Sequence, residues 1–391
     1  MNFGMNKDQA AEAMSPLAFL APELLDSFKM DHKGRQTRVQ TILAHERLDA
    51  LLVNHLPNIR YLCGFSGTAG VLLVTENRSL FFTDGRYTSQ ARDEVKASKV
   101  VIAQLPPLAA AAKWITAHSK GKQRWRLGIE GEYLSVAARS RLAGALPPGC
   151  HLRQAPALVE RLRMVKDPQE MECIRAAVRV GAGLFERALK AIGPGVREAD
   201  VAAEMEYAAH QAGAQEMSFS TIIAAGNRSA LPHGRASAAR IPSPGFVVCD
   251  FGVILTGYCS DMTRTVHVGP ASAGERRVYQ AVRSAQQASI DAVRPGIPSG
   301  NVDLAGRKLL KKEGLARYFT HSTGHGVGLE IHEAPRIAAG QTEVLQPGMV
   351  ITIEPGIYLP GKWGVRIEDM VVVTASGCEV LSSTSKELIT L

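Results

Sequence analysis

Long hydrophobic runs are missing from this sequence, and no apolar stretch reaches the roughly 18 residues that a membrane-spanning helix needs. The best run near the start, Met14 to Ala21, is short and is broken by Pro16. We therefore expect neither a signal peptide nor a membrane span, and no membrane partner.

Closely spaced cysteines are also missing, since no two of the six cysteines form a Cys-x-x-Cys pair. This spacing excludes zinc-ribbon and thioredoxin-type sites. Six cysteines spread over 391 residues do not form a disulfide framework either, which favours a reducing, cytoplasmic location. The six are Cys63, Cys150, Cys173, Cys249, Cys259 and Cys378.

The sequence has no large excess of charge of one sign. It contains 45 Lys and Arg residues and 37 Asp and Glu residues, which gives a net charge of +8. The basic residues of the first part are scattered at helical and turn spacing, with few aromatic residues between them. This pattern is typical of a solvated surface, so nucleic acid is not an expected partner. The 46% of hydrophobic residues excludes wholesale disorder.

The length of 391 residues predicts two domains. Residues 1–30 form an N-terminal extension before any regular pattern begins. Residues 31–160 alternate short apolar strands with helical stretches, which predicts an α/β domain. The predicted strands are 50–53, 70–74, 80–83, 100–103 and 126–129, the predicted helices are 84–95, 107–118 and 135–146, and residues 158–165 connect to the second domain.

Residues 161–391 form the second predicted domain. Asp167-Pro168-Gln169-Glu170 has the pattern of a helix N-terminus with a capping box, and the helix is expected to run to Ile192. Further on, long strands follow each other without helices between them, which indicates an antiparallel sheet and an α+β domain. Strands are predicted at 246–251, 252–260, 265–268, 349–353 and 365–373, with helices at 198–211, 273–293 and 301–313.

Four carboxylates lie within or at the ends of these apolar strands, where an unpaired charge is costly. Arg264 and Arg366 are close in sequence and offer structural ion pairs for two of them. Divalent cations neutralise the whole set more economically, and Mn²⁺, Co²⁺, Fe²⁺ and Zn²⁺ all accept carboxylate and imidazole ligands. The four carboxylates are Asp250, Asp261, Glu354 and Glu368.

Histidines supply the candidate imidazole ligand. His321, His325 and His332 fall within one glycine-rich stretch, where glycine allows tight turns and close approach of the backbone. His233, in Leu-Pro-His-Gly, joins them on weaker grounds, because a single loop histidine is common.

These motifs resemble those of the pita-bread-fold metallopeptidases, the family of aminopeptidase P and prolidase. Gly257-Tyr-Cys-Ser-Asp-Met-Thr-Arg-Thr265 is similar to the Xaa-Pro-cleaving branch. Arg60-Tyr-Leu-Cys-Gly-Phe-Ser-Gly-Thr68 and Phe82-Thr-Asp-Gly-Arg-Tyr87 resemble the creatinase-type N-terminal domain of the same enzymes. The five side chains that match the family's metal ligands, in chain order, are Asp250, Asp261, His325, Glu354 and Glu368.

The resemblance implies an α/β creatinase-like domain followed by an α+β pita-bread catalytic domain that hydrolyses the bond before proline. It implies two divalent ions, with manganese favoured over cobalt, zinc or iron, and a bridging hydroxide as nucleophile. Asp250 would bind one ion, Asp261 and Glu368 would bridge both, and His325 and Glu354 would complete the second. Glu354 would also shuttle the proton. The remaining implied site residues are His233 and His332 for positioning the substrate and stabilising the oxyanion, His321 for shaping the proline side, Tyr358 as a nearby substrate-binding residue, and Arg366 as a catalytic residue near the ligands.

Two other readings remain open at this point. One is a different reaction on the same fold, by a creatinase-like amidinohydrolase or a lyase, although the complete ligand set disfavours it. The other is a non-catalytic binding module. Cys249 and Cys259 are expected to pack as small apolar residues beside the ligands. The expected partners are a proline-containing peptide and further copies of the chain in a homo-oligomer.

Overall fold

The computed structural model describes residues 29–119 and 124–391. Apart from residues 29 and 30, the expected N-terminal extension lies outside the described residues. The described chain divides into two compact units, Lys29–Arg163 and Met164–Leu391. None of the described helices is both long enough and apolar enough to span a membrane.

The N-terminal unit contains six strands and six α-helices among its described residues. The helices are α1 (His32–His45), α2 (Leu56–Cys63), α3 (Thr88–Glu94), α4 (Pro107–His118), α5 (Val136–Ala145) and α6 (Leu158–Met164), the last ending at the unit's boundary. The strands are β1 (Ala50–Val53), β2 (Val71–Thr75), β3 (Ser79–Asp84), β4 (Lys99–Ala103), β5 (Trp125–Glu130) and β6 (Cys150–Ala155).

These strands form one mixed sheet in the order β4-β3-β2-β1-β5-β6. The predicted α/β class is confirmed, and the predicted strands recur as β1 to β5 with shifted ends. The sequence patterns missed α1, α2 and β6. Helix α1 was not predicted because its buried face carries Arg35 and Gln36 beside Val39 and Leu43, which weakens the apolar periodicity. The predicted helix 84–95 was wrong in its first turn, which is a 3₁₀-helix at Gly85–Tyr87.

The C-terminal unit adds four α-helices and thirteen strands within residues 164–391. The helices are α7 (Pro168–Ala191), α8 (Glu198–Gln211), α9 (Ala273–Ala292) and α10 (Ser299–Lys312). The strands are β7 (Glu216–Met217), β8 (Ile222–Ala225), β9 (Gly245–Phe251), β10 (Val253–Leu255), β11 (Tyr258–Cys259), β12 (Met262–Val268), β13 (Gly324–Gly326), β14 (Glu333–Ile337), β15 (Val350–Ile353), β16 (Gly356–Leu359), β17 (Trp363–Arg366), β18 (Asp369–Val373) and β19 (Cys378–Val380).

Every strand pair within these named elements of the C-terminal unit is antiparallel, which confirms the α+β prediction. The sheets have the orders β11-β10-β7, β12-β9-β8, β14-β13-β15-β18-β19 and β16-β17. A large apolar cluster packs α7 and α8 against this unit's strands, with Phe185, Met205, Val247 and Phe251 all buried. This core holds β9 in place, and β9 carries one of the predicted site carboxylates.

Three predicted segments were wrong in detail. The strand predicted at 252–260 breaks into β10 and β11, because Thr256 and Gly257 form a turn with positive φ angles of 51° and 88°. The strand predicted at 365–373 breaks into β17 and β18, because the chain changes partner from β16 to β15 between them. The connection predicted at 158–165 is mostly helical, as α6.

The start of α7 follows its sequence signature. The Asp167 carboxylate accepts a hydrogen bond from the Glu170 backbone N–H at 2.9 Å, and the Glu170 carboxylate accepts one from the Asp167 N–H at 3.0 Å. This reciprocal capping satisfies two of the helix's free amide groups. It also leaves the other Glu170 oxygen to accept a hydrogen bond from the Tyr258 hydroxyl at 3.0 Å, which links α7 to β11.

Candidate metal centre and its pocket

A cavity of about 520 Å³ opens within the C-terminal unit, and nine of the ten side chains singled out in the sequence line it. The tenth, Tyr358, lies behind the lining and bonds to two of its members. The nine lining residues are His233, Asp250, Asp261, His321, His325, His332, Glu354, Arg366 and Glu368.

Strand pairing brings the distant carboxylates together. Asp250 on β9 lies opposite Thr263 on β12, and Asp261 immediately precedes β12. Glu368 lies between β17 and β18, where its backbone N–H donates to the Thr263 carbonyl at 3.1 Å. The Thr263 hydroxyl in turn donates to Glu368 Oε2 at 2.7 Å. Thr263 therefore links three of the predicted ligand positions through one strand.

His325 and Glu354 enter the same pocket from β13 and from the end of β15. The two strands pair at Gly326 and Ile351, and the Glu354 N–H donates to the Thr323 carbonyl at 2.7 Å. His325 Nε2 lies 3.5 Å from Glu354 Oε1 and 3.6 Å from Asp261 Oδ2.

Side-chain donor atoms converge on one small volume. One ligand atom each from Asp261, His325 and Glu368 lies within 4.8 Å of the other two. With the nearby Glu354 oxygen, the set offers carboxylate oxygens and one imidazole nitrogen, the donor types that suit divalent transition metals.

Arginine pairing, the alternative to metal binding, accounts for only one of the four strand carboxylates within residues 29–119 and 124–391. Arg366 Nη2 donates to Asp250 Oδ2 at 2.5 Å. Arg264 instead pairs with Asp369, which points away from the set, at 2.7 Å. Asp261, Glu354 and Glu368 make no ion pair with a described lysine or arginine.

The pKa values of these carboxylates reflect their crowding. Desolvation raises the pKa of Asp261 and of Glu368 well above the usual range, and the charges of neighbouring carboxylates raise both further. Desolvation also raises the pKa of Glu354 to about 8. Negative charges held this close require cations to be ionised together at neutral pH. The residues present therefore fit a site for divalent cations.

Hydrogen bonding orients the ring of His325 as a ligand requires. Its Nδ1 lies 3.0 Å from the Gly326 carbonyl, which can only accept, so Nδ1 carries the proton and Nε2 presents a lone pair to the carboxylates. Desolvation by burial, together with the nearby His332, lowers the pKa of His325 to about 4. The imidazole is thus neutral at physiological pH, as metal binding demands.

Arg366 lines the cavity and connects Asp250 to residues behind the lining. Its Nη1 donates to the Tyr358 hydroxyl at 2.6 Å, and its Nε donates to the Thr263 hydroxyl at 3.1 Å. The Tyr358 hydroxyl lies 2.9 Å from His321 Nε2, whose other nitrogen donates to the Ser322 carbonyl at 2.8 Å. Since Nδ1 of His321 holds the proton, Tyr358 donates to Nε2. Burial raises the pKa of Tyr358 to about 12 and lowers that of His321 to about 4, so both groups stay neutral.

Two histidines stand nearer the opening. The ring of His332 lies edge-on to the ring of His325, with centroids 4.4 Å apart. Desolvation lowers the pKa of His332. His233 is exposed and lines the cavity from the segment between β8 and β9. Both imidazoles therefore face the space in front of the carboxylates.

The sequence analysis missed several residues of the pocket. Thr263 follows Asp261 by two residues, and strand alternation places such residues on one face, so this signal was available. Arg336 lines the cavity four residues after His332, and Arg235 lines it two residues after His233. Both arginines are exposed, and nothing in the sequence distinguishes them from other surface arginines.

Family comparisons agree with the fold and with the donor set. Residues 172–375 match Metallopeptidase family M24, and residues 35–165 match the Creatinase/Prolidase N-terminal domain. The protein thus has the two-domain architecture of a metal-dependent peptidase. The chain belongs to metallopeptidase family M24, which confirms the resemblance inferred from its motifs.

Individual relatives match over most of the chain. The Xaa-Pro dipeptidase of Pyrococcus furiosus is 35% identical over 363 residues, covering 91% of this chain and all (100%) of the relative. The structure of an Xaa-Pro dipeptidase from Bacillus anthracis superposes with a TM-score of 0.87 at 38% identity, covering 92% of this chain and 100% of the other. That of an X-Pro aminopeptidase from Thermotoga maritima gives 0.84 at 33% identity, covering 91% and 99%.

Proposed function

We propose that this protein is a dinuclear metal-dependent hydrolase that cleaves the peptide bond before proline, acting mainly on Xaa-Pro dipeptides. The observation that carries the proposal is the convergence of Asp261, Glu354 and Glu368 on the neutral Nε2 face of His325, without lysine or arginine partners among the described residues. The names of the relatives support the substrate class.

The five donors divide naturally between two ions. If two divalent cations bind, Asp250 would hold the first, Asp261 and Glu368 would be available to both, and His325 and Glu354 would hold the second. The contacts of His325 Nε2 with Asp261 and Glu354 support placing those three at one ion. When bound, a pair of divalent cations lowers the pKa of water and polarises the scissile carbonyl. We propose manganese as the resident metal, with cobalt, zinc and iron as the alternatives to test.

The protein's own side chains transfer the proton to the leaving nitrogen and stabilise the negative charge that develops on the carbonyl oxygen. Glu354, which lies in the pocket beside His325, accepts a proton from the attacking water at a carboxylate oxygen and passes it to the proline nitrogen as the C–N bond breaks. His233 and His332 donate hydrogen bonds to the carbonyl oxygen as negative charge develops on it, a contribution of roughly 3–4 kcal/mol for a well-placed donor. Separately, the prolyl nitrogen carries no hydrogen, so the substrate cannot be recognised at that bond by strand-like pairing.

Other pocket residues hold the substrate in place. His321, which the Tyr358 hydroxyl holds from behind the lining, forms a neutral wall for the proline ring, and Arg366 keeps Asp250 oriented. Arg235 and Arg336 add two exposed guanidinium groups to the lining. Neither side chain forms a hydrogen bond or ion pair within residues 29–119 and 124–391, so both are available to a ligand, and we propose that Arg336 binds the free carboxylate of a dipeptide. A bidentate guanidinium–carboxylate pair would favour dipeptides over longer peptides.

A comparison of three substrates tests this proposal. Purified protein loaded in turn with Mn²⁺, Co²⁺, Zn²⁺ or Fe²⁺ is assayed on Ala-Pro, on Ala-Pro-amide and on Ala-Pro-Ala. We expect cleavage before proline, with Ala-Pro preferred. Changing Arg336→Met should raise KM for Ala-Pro about tenfold or more and change the amide little, because only the dipeptide offers a carboxylate.

The outcomes separate the alternatives. Absence of bound metal and of turnover with every added metal would favour a non-catalytic module, and turnover of creatine instead of peptides would favour an amidinohydrolase. Equal turnover of all three peptides would retain the hydrolase and reject the dipeptidase preference.

We also propose a cytoplasmic location and a homo-oligomeric state. All six cysteines are free thiols, which supports a reducing compartment. Light scattering coupled to size-exclusion chromatography tests the oligomeric state.

A further inference from the structure

The segment between β8 and β9 carries His233, and its backbone is tied to a buried carboxylate. Glu198, the first residue of α8, has a side chain that is 0% exposed. Its oxygens accept hydrogen bonds from the Ala225 N–H at 2.9 Å, from the Ser237 N–H at 3.1 Å and from the Ser237 hydroxyl at 2.7 Å. Arg228 Nε donates to both oxygens at 3.0 and 3.1 Å. All four donor groups belong to residues 225–237.

Arg228 extends this connection towards His233. While its Nε contacts Glu198, its Nη2 donates to the Arg235 carbonyl at 2.8 Å. On the other side of His233, Arg366 Nη1 donates to the Pro232 carbonyl at 3.1 Å. His233 therefore lies between two carbonyl groups that are each held by a guanidinium.

Nothing comparable holds the His233 ring itself. Its side chain is exposed, and no hydrogen bond joins it to another residue in the described parts of the chain. The position of the imidazole consequently depends on the backbone of residues 232–235. A displacement of about 1 Å in a group that acts on the transition state can cost about 100-fold in rate.

We propose that Glu198 and Arg228 are positioning residues that hold the His233 backbone at the distance from the metal centre that stabilisation of the carbonyl oxygen requires. Neither side chain is among those that line the pocket, and both act through His233. The inference rests on the proposed function for the role of His233, and it adds two residues that the ligand and proton-transfer chemistry does not include.

Arg228→Lys is the variant that separates positioning from folding. Lysine keeps a positive charge opposite the buried Glu198, but its single ammonium cannot bridge Glu198 and the Arg235 carbonyl as the planar guanidinium does. We expect kcat on Ala-Pro to fall about tenfold, with KM, metal content and melting temperature close to those of the unaltered protein.

A double-mutant cycle shows whether the effect passes through His233. His233→Ala should lower kcat strongly on its own, and adding Arg228→Lys to it should cause no further loss. If Arg228→Lys lowers kcat by the same factor in both backgrounds, or has no effect in either, the positioning role is wrong.

Glu204→Gln provides the matched control. Glu204 lies on the same helix α8 and also pairs with an arginine, but its partner is Arg187 on α7, with an N–O distance of 2.5 Å. We expect unchanged kcat for this variant. A tenfold loss here would mean that any weakened ion pair on α8 slows the enzyme, which would overturn the specific assignment.

Hydrogen exchange tests the same inference without any catalytic assay. Peptides covering residues 226–237 should exchange faster in Arg228→Lys than in the unaltered protein, while peptides covering β9 stay the same. If the unaltered protein fails to cleave Ala-Pro, the proposed function is wrong. Faster hydrogen exchange of residues 226–237 in Arg228→Lys would still establish that Glu198 and Arg228 hold this segment. Unchanged exchange would contradict the inference whatever the activity.

Discussion

At the scale of single residues, the candidate metal ligands are oriented by the hydrogen-bonding side chains that surround them. Thr263 donates to Glu368 and accepts from Arg366, so one hydroxyl orients a carboxylate and the guanidinium that holds Asp250. Hydrogen-bonded neighbours of this kind set the direction in which a ligand's lone pairs point. Here they direct acidic oxygens towards one another, an arrangement that is unfavourable until a cation is present.

Glu368→Gln tests the importance of that charge. The amide keeps the size of the side chain but removes a negative charge from the proposed shared position. We expect loss of at least one metal equivalent by elemental analysis. We also expect a fall in turnover of at least the roughly 10–100-fold that removal of an outer ligand partner costs.

Glu379→Gln is the control for this variant. Glu379 pairs with Arg175 at an exposed position, at 2.6 Å, so its loss should change neither metal content nor rate. Two retained metal equivalents and full activity in Glu368→Gln would refute the bridging assignment.

The candidate site residues could be identified from the sequence where a charged residue occurs in an otherwise apolar strand. Asp250 in a strand of seven buried residues and Glu368 between two buried strands are conspicuous, because apolar strands rarely contain a carboxylate without a partner. Arg336 gives no such signal, since an arginine on an exposed strand position is ordinary. Glu198 was also missed, because an acidic residue in the first turn of a helix is expected from the helix dipole alone.

At the scale of elements, β13 shows why glycines surround His325. A Cβ atom at Gly324 would lie 1.9 Å from the Thr352 carbonyl oxygen on β15, and one at Gly326 would lie 2.2 Å from the Ala334 oxygen. Only residues without a side chain allow the neighbouring strands to pack this closely. The glycines therefore allow the strand packing that brings His325 Nε2 to 3.5 Å from Glu354 Oε1.

Gly324→Ala should disturb both the strand and the centre. The methyl group forces β13 away from β15, a change of the overpacking type that costs about 1–3 kcal/mol in the free energy of unfolding. Because His325 is the next residue, metal affinity should fall as well. Urea denaturation and metal titration measure the two effects.

Gly274→Ala is the matched control, since nothing lies within 4 Å of the Cβ position at Gly274, near the start of α9. This variant should be neutral or slightly more stable, because alanine loses less backbone entropy in a helix than glycine does. Equal stability of the two variants would show that the close approach at Gly324 is unimportant.

The accuracy of the sequence predictions also varies between elements for physical reasons. Helix α8 and helix α4 begin and end at the predicted residues, because helical apolar spacing is a local property of the sequence. The strand predicted at 252–260 is interrupted by a local hairpin turn at Thr256 and Gly257, for which Gly257 was an available signal. The strand predicted at 365–373 is interrupted where the chain changes its pairing partner from β16 to β15. Tertiary pairing of this kind leaves no local signal.

At the scale of the whole molecule, the crowded carboxylates link stability to pH when metal is absent. The pKa of Glu354 rises from 4.5 to about 8 on folding through desolvation, and those of Asp261 and Glu368 rise as well. A raised folded-state pKa contributes stability that is complete below the unfolded-state pKa and is lost as the pH rises through the folded-state pKa. The metal-free protein should therefore become less stable as the carboxylates are forced to ionise.

The buried histidines change the folding stability with pH in the opposite direction to the carboxylates and over a lower pH range. Desolvation lowers the pKa of His321 and of His325 from 6.5 to about 4, so their contribution is complete above pH 6.5 and is lost as the pH falls towards 4. Between pH 6.5 and pH 8 the two imidazoles are neutral in the folded state, and loss of their remaining protons from the unfolded state can only raise the stability as the pH rises. A fall in stability over that interval is therefore opposite in sign to the effect of these histidines and reports on the carboxylates.

We accordingly predict that the melting temperature of the chelator-treated protein falls between pH 6.5 and pH 8, and that Glu354→Gln makes this fall smaller. Added Mn²⁺ should raise the melting temperature most at pH 8, because cations bind the ionised carboxylates and stabilise the folded state in proportion to that binding. Differential scanning fluorimetry at matched ionic strength measures all three effects. A melting temperature that rises with pH in the metal-free protein, or a slope that is identical in Glu354→Gln, would mean that the carboxylates are not held close enough to repel one another, and the case for a cation site would fail with it.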